Sequence, residues 1–222
     1  MGLQGKMQGI DFIRMLTDSN DLHRPSIIAT SGYPNLVEDA IKAGAVGILQ
    51  PHLYENLAKI VRNLANQGRR RRLYKLDPKG DASRHKRPVF LSFASDYRGL
   101  ATGLKSHIEA EDIGVWYSRD LVADNEPWPP HVVKGIDKAA VFLALVTEHF
   151  LTSRHCSSEL DRFNERKKRD PNALLLPIFY GSTIPSGRFN GSFDGLKSID
   201  LSGGAFMDGV QEMVRFVRET VH

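Results

Sequence analysis

Cysteine is nearly absent from this 222-residue chain, where Cys156 stands alone. A lone thiol cannot close an internal disulfide, so nothing covalent staples the fold, and the usage suits a reducing cytoplasm. Long apolar runs are missing as well. The longest, Ala139 to Val146, is far short of the ~20 residues that a membrane helix needs. Residues 1–30 hold Asp11, Arg14, Asp18 and Asp21 and no apolar core, which argues against a secretory signal. No phosphate-cradling GxxxxGK[ST], no dinucleotide GxGxxG and no metal-ligand cluster occurs, so neither a bound cofactor nor a metal is expected. What remains is the composition of an ordinary soluble protein, 41% hydrophobic and 25% charged, expected in the cytoplasm and off the membrane.

The net charge of +4 is unevenly spread. Residues 1–68 carry six basic and six acidic side chains, residues 69–88 nine and two, and residues 89–222 fifteen and eighteen. The excess sits in one connector containing Arg69-Arg70-Arg71-Arg72, Lys79 and Arg87. Such a run could attract nucleic acid or acidic lipid. It also reads as a linker kept extended by its own repulsion. Tyr74 is its sole aromatic, so it offers no stacking platform and nucleic acid is not the expected partner.

The connector, punctuated by Gly68, Pro78, Gly80 and Pro88, divides the chain into 1–68, a basic linker 69–87, and 88–222. In the first part, helical spacing over Ile10 to Leu16 precedes a strand, Ser26 to Gly32. A helix, Leu36 to Ala43, then ends at Gly44, where a terminal glycine is favoured. Val46 to Leu49 is a second strand and Leu53 to Ala65 a third helix. In this order, with Ser31-Gly32 and Gly44-Ala45 … Gln50-Pro51, the segment resembles the last half of a response-regulator receiver domain. Gln50 stands where that family has a lysine, and the strands bearing its acidic residues have no counterpart. The resemblance therefore implies no phosphoswitch. Met1 reads either as an internal methionine of a longer frame or as the start of a natural truncation. Two parallel strands cannot cover both their faces, so the segment must lean on something else or stay partly molten.

Residues 88–222 alternate strands and helices throughout. Val89 to Ala94 is a strand, and Ser95-Asp96 a favourable cap for a helix reaching about Ala110. Gly114 to Tyr117, Ala139 to Val146, Ala173 to Tyr180 and Leu196 to Leu201 complete five strands. Pro129-Pro130 opens one helix, Glu159 falls in the first turn of another, and Phe206 to Val221 closes the chain. This alternation predicts a parallel, doubly wound α/β sheet.

Three stretches resemble TIR (Toll/interleukin-1 receptor-like) domains: Phe90-Leu91-Ser92-Phe93-Ala94-Ser95-Asp96, Gly114-Val115-Trp116-Tyr117, and Phe150 to Leu160 with Cys156 and Glu159. The resemblance implies a flavodoxin-like five-stranded parallel sheet over 88–222, preceded by the incomplete receiver-like α/β fragment. It further implies cleavage of NAD between ribose and nicotinamide, NAD being substrate rather than cofactor, with Glu159 the catalytic carboxylate. Phe93, Ala94, Ser95, Trp128 and Cys156 would contact the substrate, and copies would associate through TIR–TIR contacts. The chemistry is reasonable, because nicotinamide leaves neutral and only the ribose cation needs stabilising. Glu159 could equally be a first-turn acid favoured by the helix dipole, in a non-catalytic adaptor working by homotypic contacts. Phe93 could be a core aromatic, and Trp116 reads as core. Cys156 reads more readily as a small buried thiol than as a nucleophile paired with His149 or His155. His155 replaces the family's tryptophan, and the loop Leu121 to Trp128 lacks its usual Pro-Gly.

Overall fold

A computed structural model describes residues 9–18, 27–49, 57–66, 89–117, 130–181, 193, 195–202 and 206–221. The basic linker and Trp128 lie outside these residues. The first part supplies α1 (Gly9–Asp18), β1 (Ile28–Ser31), α2 (Pro34–Lys42), β2 (Val46–Leu49) and α3 (57–66). The second supplies β3 (Val89–Ser92), α4 (Arg98–Glu109), β4 (Val115–Tyr117), α5 (Pro130–Lys138) and β5 (Val141–Val146). It continues with α6 (Glu148–Thr152), α7 (Arg154–Arg169), β6 (Leu174–Phe179), β7 (Ile199–Asp200) and α8 (Phe206–Val221).

The five strands β4-β3-β5-β6-β7 form one wholly parallel sheet, as the alternation predicts. Its middle strands are apolar along their length because helices cover both faces, and every residue of β3 and β5 is buried. One face packs Leu91, Leu143 and Leu176 against Leu104 and Ile108 of α4 and Val210 and Met213 of α8. The other packs Phe90, Phe142 and Ala144 against Ile136 of α5 and Leu160 and Phe163 of α7. There Phe142 stacks on Phe90 at 5.4 Å between ring centroids and tilts against Phe163 at 4.8 Å. Pro177, inside β6, pairs with Ala144, and β7 joins only from Ile178 onward. Proline thus occupies a position that is locally an edge, where a missing N–H is tolerated.

Four boundaries differ from the sequence expectation. Ser95 and Asp96 do not cap α4; they lie in a short 3-10 turn, Ser95–Tyr97, and the helix begins after Tyr97 without a side-chain cap. Thr147 to Ser153, which shows no helical pattern, folds as α6, with Thr147 Oγ1 accepting from the Phe150 N–H. The last strand shortens to Ile199–Asp200. Finally, α7 starts at Arg154 with Ser153 as its cap, so Glu159 is its sixth residue and lies beyond the first turn.

Arg166 ties α7 to α5. Its guanidinium donates to the carbonyls of Ile136 and Ala139 at the α5 terminus and to Asp170, while lying over the Phe163 ring. Terminal helix carbonyls lack partners within their own helix, so this side chain satisfies them from outside. Arg166→Ala should therefore cost about 2–3 kcal/mol, since charged donors are lost from part-buried acceptors. Chemical denaturation measures this, with Arg166→Lys expected to recover part of the loss.

The strands β1 and β2 form a separate two-stranded parallel sheet, in register from Ile28↔Val46 to Ser31↔Leu49. The segment rests on α4. Val37 and Ile41 of α2 belong to the same buried cluster as Leu100, Leu104 and Ile108. Gly99 and Gly103, four residues apart on one face of α4, admit the α2 backbone: a Cβ at either would overlap the carbonyl oxygen of Lys42 or Ile41. Asn63 Nδ2 donates to the Ala110 carbonyl at 2.6 Å, and Lys59 pairs with Glu111 at 2.8 Å.

His107 sits inside this junction, its Nε2 accepting from the Gly47 N–H at 3.1 Å. Burial holds the imidazole neutral and lowers its pKa to about 4. The unfolded chain takes up that proton near the ordinary 6.5, the folded chain only near 4, so stability is complete above 6.5 and declines as pH falls between them. The decline should reach about 3 kcal/mol, and His107→Gln should flatten it. Urea midpoints from pH 4 to 7 test this.

Candidate functional site

In an open parallel sheet, ligands bind beyond the carboxyl ends of the strands where the strand order reverses. Here that point lies between β3 and β5, because the chain proceeds from β3 to β4 on one side and then to β5 on the other. Three peptides border it: the end of β3 with its 3-10 turn, the β5–α6 turn, and the start of α7.

Glu159 of α7 points into the protein beneath this edge and is 3% exposed. Ser92, the last residue of β3, is wholly buried and donates its hydroxyl to Glu159 Oε2 at 2.6 Å. This geometry follows from local rules. Side chains of a strand alternate, so Phe90, Ser92 and Ala94 face α7 while Leu91 and Phe93 face α4. Ser153 fixes the start of α7 by accepting from the Cys156 N–H, and the buried positions 156, 159, 160 and 163 then repeat at helical spacing.

Cys156, one turn before Glu159, is buried in the same cluster as Ala94. Burial above all, with the Glu159 charge adding, pushes its thiol up to about 11. Burial thus favours its neutral thiol, the less nucleophilic form. Ala94 is buried on the Glu159 face, and Ser95 is exposed in the 3-10 turn. Phe93 packs in the cluster of the opposite face, with Leu91 and Leu104, which is the core position rather than a wall beside Glu159. The structure thus brings Ser92, Ala94, Cys156 and Glu159 together and leaves Phe93 out. Ser92 was legible only as part of a box; its partner was not. Missed altogether was a second pair at the same edge, Asp96 Oδ2 and His149 Nδ1, 2.7 Å apart. Among the described residues, no three His, Cys, Asp or Glu side chains converge as metal ligands.

Residues 89–214 match the family model described as TIR domain. The chain belongs to the TIR domain family. The crystal structure of the RPS4 and RRS1 TIR domain heterodimer is similar, with a TM-score of 0.49 and 18% identity over 60% of this chain and 97% of that one. The matched residues run from β3 into α8, and so include every side chain of the TIR site just described. No helix among the described residues is long and apolar enough to cross a membrane.

Proposed function

We propose that this TIR protein is a cytoplasmic NAD glycohydrolase, cleaving NAD to nicotinamide and ADP-ribose or a cyclic isomer, with Glu159 as the carboxylate that stabilises the reacting ribose. One observation carries the reading: a carboxylate buried at the sheet's switch point, with one oxygen fixed by the Ser92 hydroxyl. A carboxylate held in a dry setting interacts more strongly with a developing cation than one in water, and a pre-oriented one need not reorganise as the charge forms. The breaking bond joins ribose C1′ to the pyridinium nitrogen. Its electron pair stays with nitrogen, so nicotinamide departs neutral and needs no proton, and one carboxylate can suffice where glycosidases use two.

The test is direct. Concentrated protein is incubated with NAD and nicotinamide release is followed, alongside Glu159→Ala. Release that depends on Glu159 supports the reading, and release indifferent to the substitution removes Glu159 from the chemistry. A protein that self-associates yet never releases nicotinamide would be a TIR adaptor acting through homotypic contacts.

A further inference from the structure

Asp96 and His149 meet at the switch point of the sheet, where NAD cleavage is proposed. Asp96 follows β3 and His149 follows β5, the two adjacent strands between which the order reverses. Their side chains are 61% and 47% exposed, so the pair is open to a ligand where Glu159 is covered. A carboxylate on Nδ1 fixes the ring proton there and leaves Nε2 as the accepting nitrogen. Glu148 Oε1 lies 3.6 Å from that Nε2, placed to stabilise the ring once it is protonated.

The ring is also held from behind. Tyr97 packs edge-on against His149 at 5.7 Å between centroids, and against Tyr180 at 5.9 Å. Lys42 of α2 then lies over the Tyr180 ring at 5.6 Å. The described charged and titratable groups around the histidine are accordingly Asp96, Glu148, Tyr97, Tyr180 and, one step removed, Lys42. A salt bridge made only for stability gains little at such exposure. An acceptor oriented by a carboxylate at a ligand-binding edge has a chemical use.

We propose that His149, oriented by Asp96, accepts the proton of the water that attacks ribose C1′. This rests on the NAD-cleavage reading of Glu159. As the C1′–N bond breaks with its electron pair going to nicotinamide, water oxygen bonds to C1′ and its proton passes to His149 Nε2, then to solvent. The sum is NAD plus water giving nicotinamide, ADP-ribose and one proton. Asp96 is a positioning residue that does not itself meet the substrate.

The experiment follows nicotinamide release from NAD by the full chain between pH 5 and 8, for wild type, His149→Gln, Asp96→Asn and Glu159→Gln, with melting curves to establish folding. Wild-type kcat should rise with pH, because only neutral imidazole accepts a proton. His149→Gln should lose about 10²-fold in kcat at pH 8 with KM little changed, and should lose the rising limb. Asp96→Asn should lower kcat by a smaller factor with KM little changed, the kcat-specific loss expected of a residue that positions the proton acceptor. A rising limb retained in His149→Gln at near-wild-type kcat overturns the proton-acceptor role alone. Wild-type protein that releases no nicotinamide, or release that survives in Glu159→Gln, overturns the NAD reading and this proposal with it.

Discussion

Glu159→Gln should lower nicotinamide release by about 10²–10³-fold in kcat while leaving the folded protein at least as stable as wild type. The two halves of this expectation come from one geometry. Glutamine matches glutamate in shape, and its carbonyl oxygen can accept the Ser92 hydroxyl that now binds Oε2. The packing of Cys156, Leu160 and Phe163 around it is undisturbed. What disappears is the group able to carry a negative charge at this buried position, where a charge is costly to keep. A carboxylate serving stability alone would behave oppositely, with stability lost and activity untouched. Paired assays of nicotinamide release and thermal midpoint thus discriminate the roles. A variant that melts lower and cleaves NAD at the wild-type rate would refute the catalytic assignment.

The sheet was legible in the sequence because its signals are large. Ala139 to Val146 is an uninterrupted apolar run, and burial on both faces is what such a run means in a parallel sheet. The closing helix, Phe206 to Val221, was legible from its apolar spacing. The same property that revealed the strands concealed their facing. In Val89-Phe90-Leu91-Ser92-Phe93-Ala94 nearly every residue is apolar, so pattern alone could not tell whether Phe93 or Ser92 turns toward Glu159. Helix α6 was hidden by brevity: five residues give too little periodicity, and its Thr147 cap also suits a loop. The turn holding Glu159 was displaced for a related reason. Ser153 caps α7 earlier than Cys156-Ser157-Ser158 suggests, which removes the first-turn dipole explanation for the carboxylate. Asp96 looked like a cap because aspartate caps helices well, and a partner 53 residues away leaves no local trace.

Least legible of all was the purpose of Gly99 and Gly103, two glycines inside α4 whose partners lie on a different helix. Gly103→Ala should destabilise the protein by about 3 kcal/mol or more, although the same change in an exposed helix stabilises by roughly 0.5–1 kcal/mol. The reversal of sign is the test. A methyl group at Gly103 would overlap the Ile41 carbonyl oxygen, which is backbone and cannot rotate aside. The last turn of α2 must retreat, and with it Val37 and Ile41, both fully buried, each worth about 1.5–3 kcal/mol of burial. Gly114→Ala is the control, because nothing lies within 4 Å of a Cβ there. Urea denaturation gives the magnitude, and hydrogen exchange gives its location. Residues 27–49 should lose protection first, since their two-stranded sheet has little else to rest on, while β5 and β6 should stay protected. If Gly103→Ala instead raises stability, α2 does not occupy α4 in solution. If it behaves as expected, one face of the TIR unit is covered by its own chain, and any association between intact copies must use the faces that α2 leaves open.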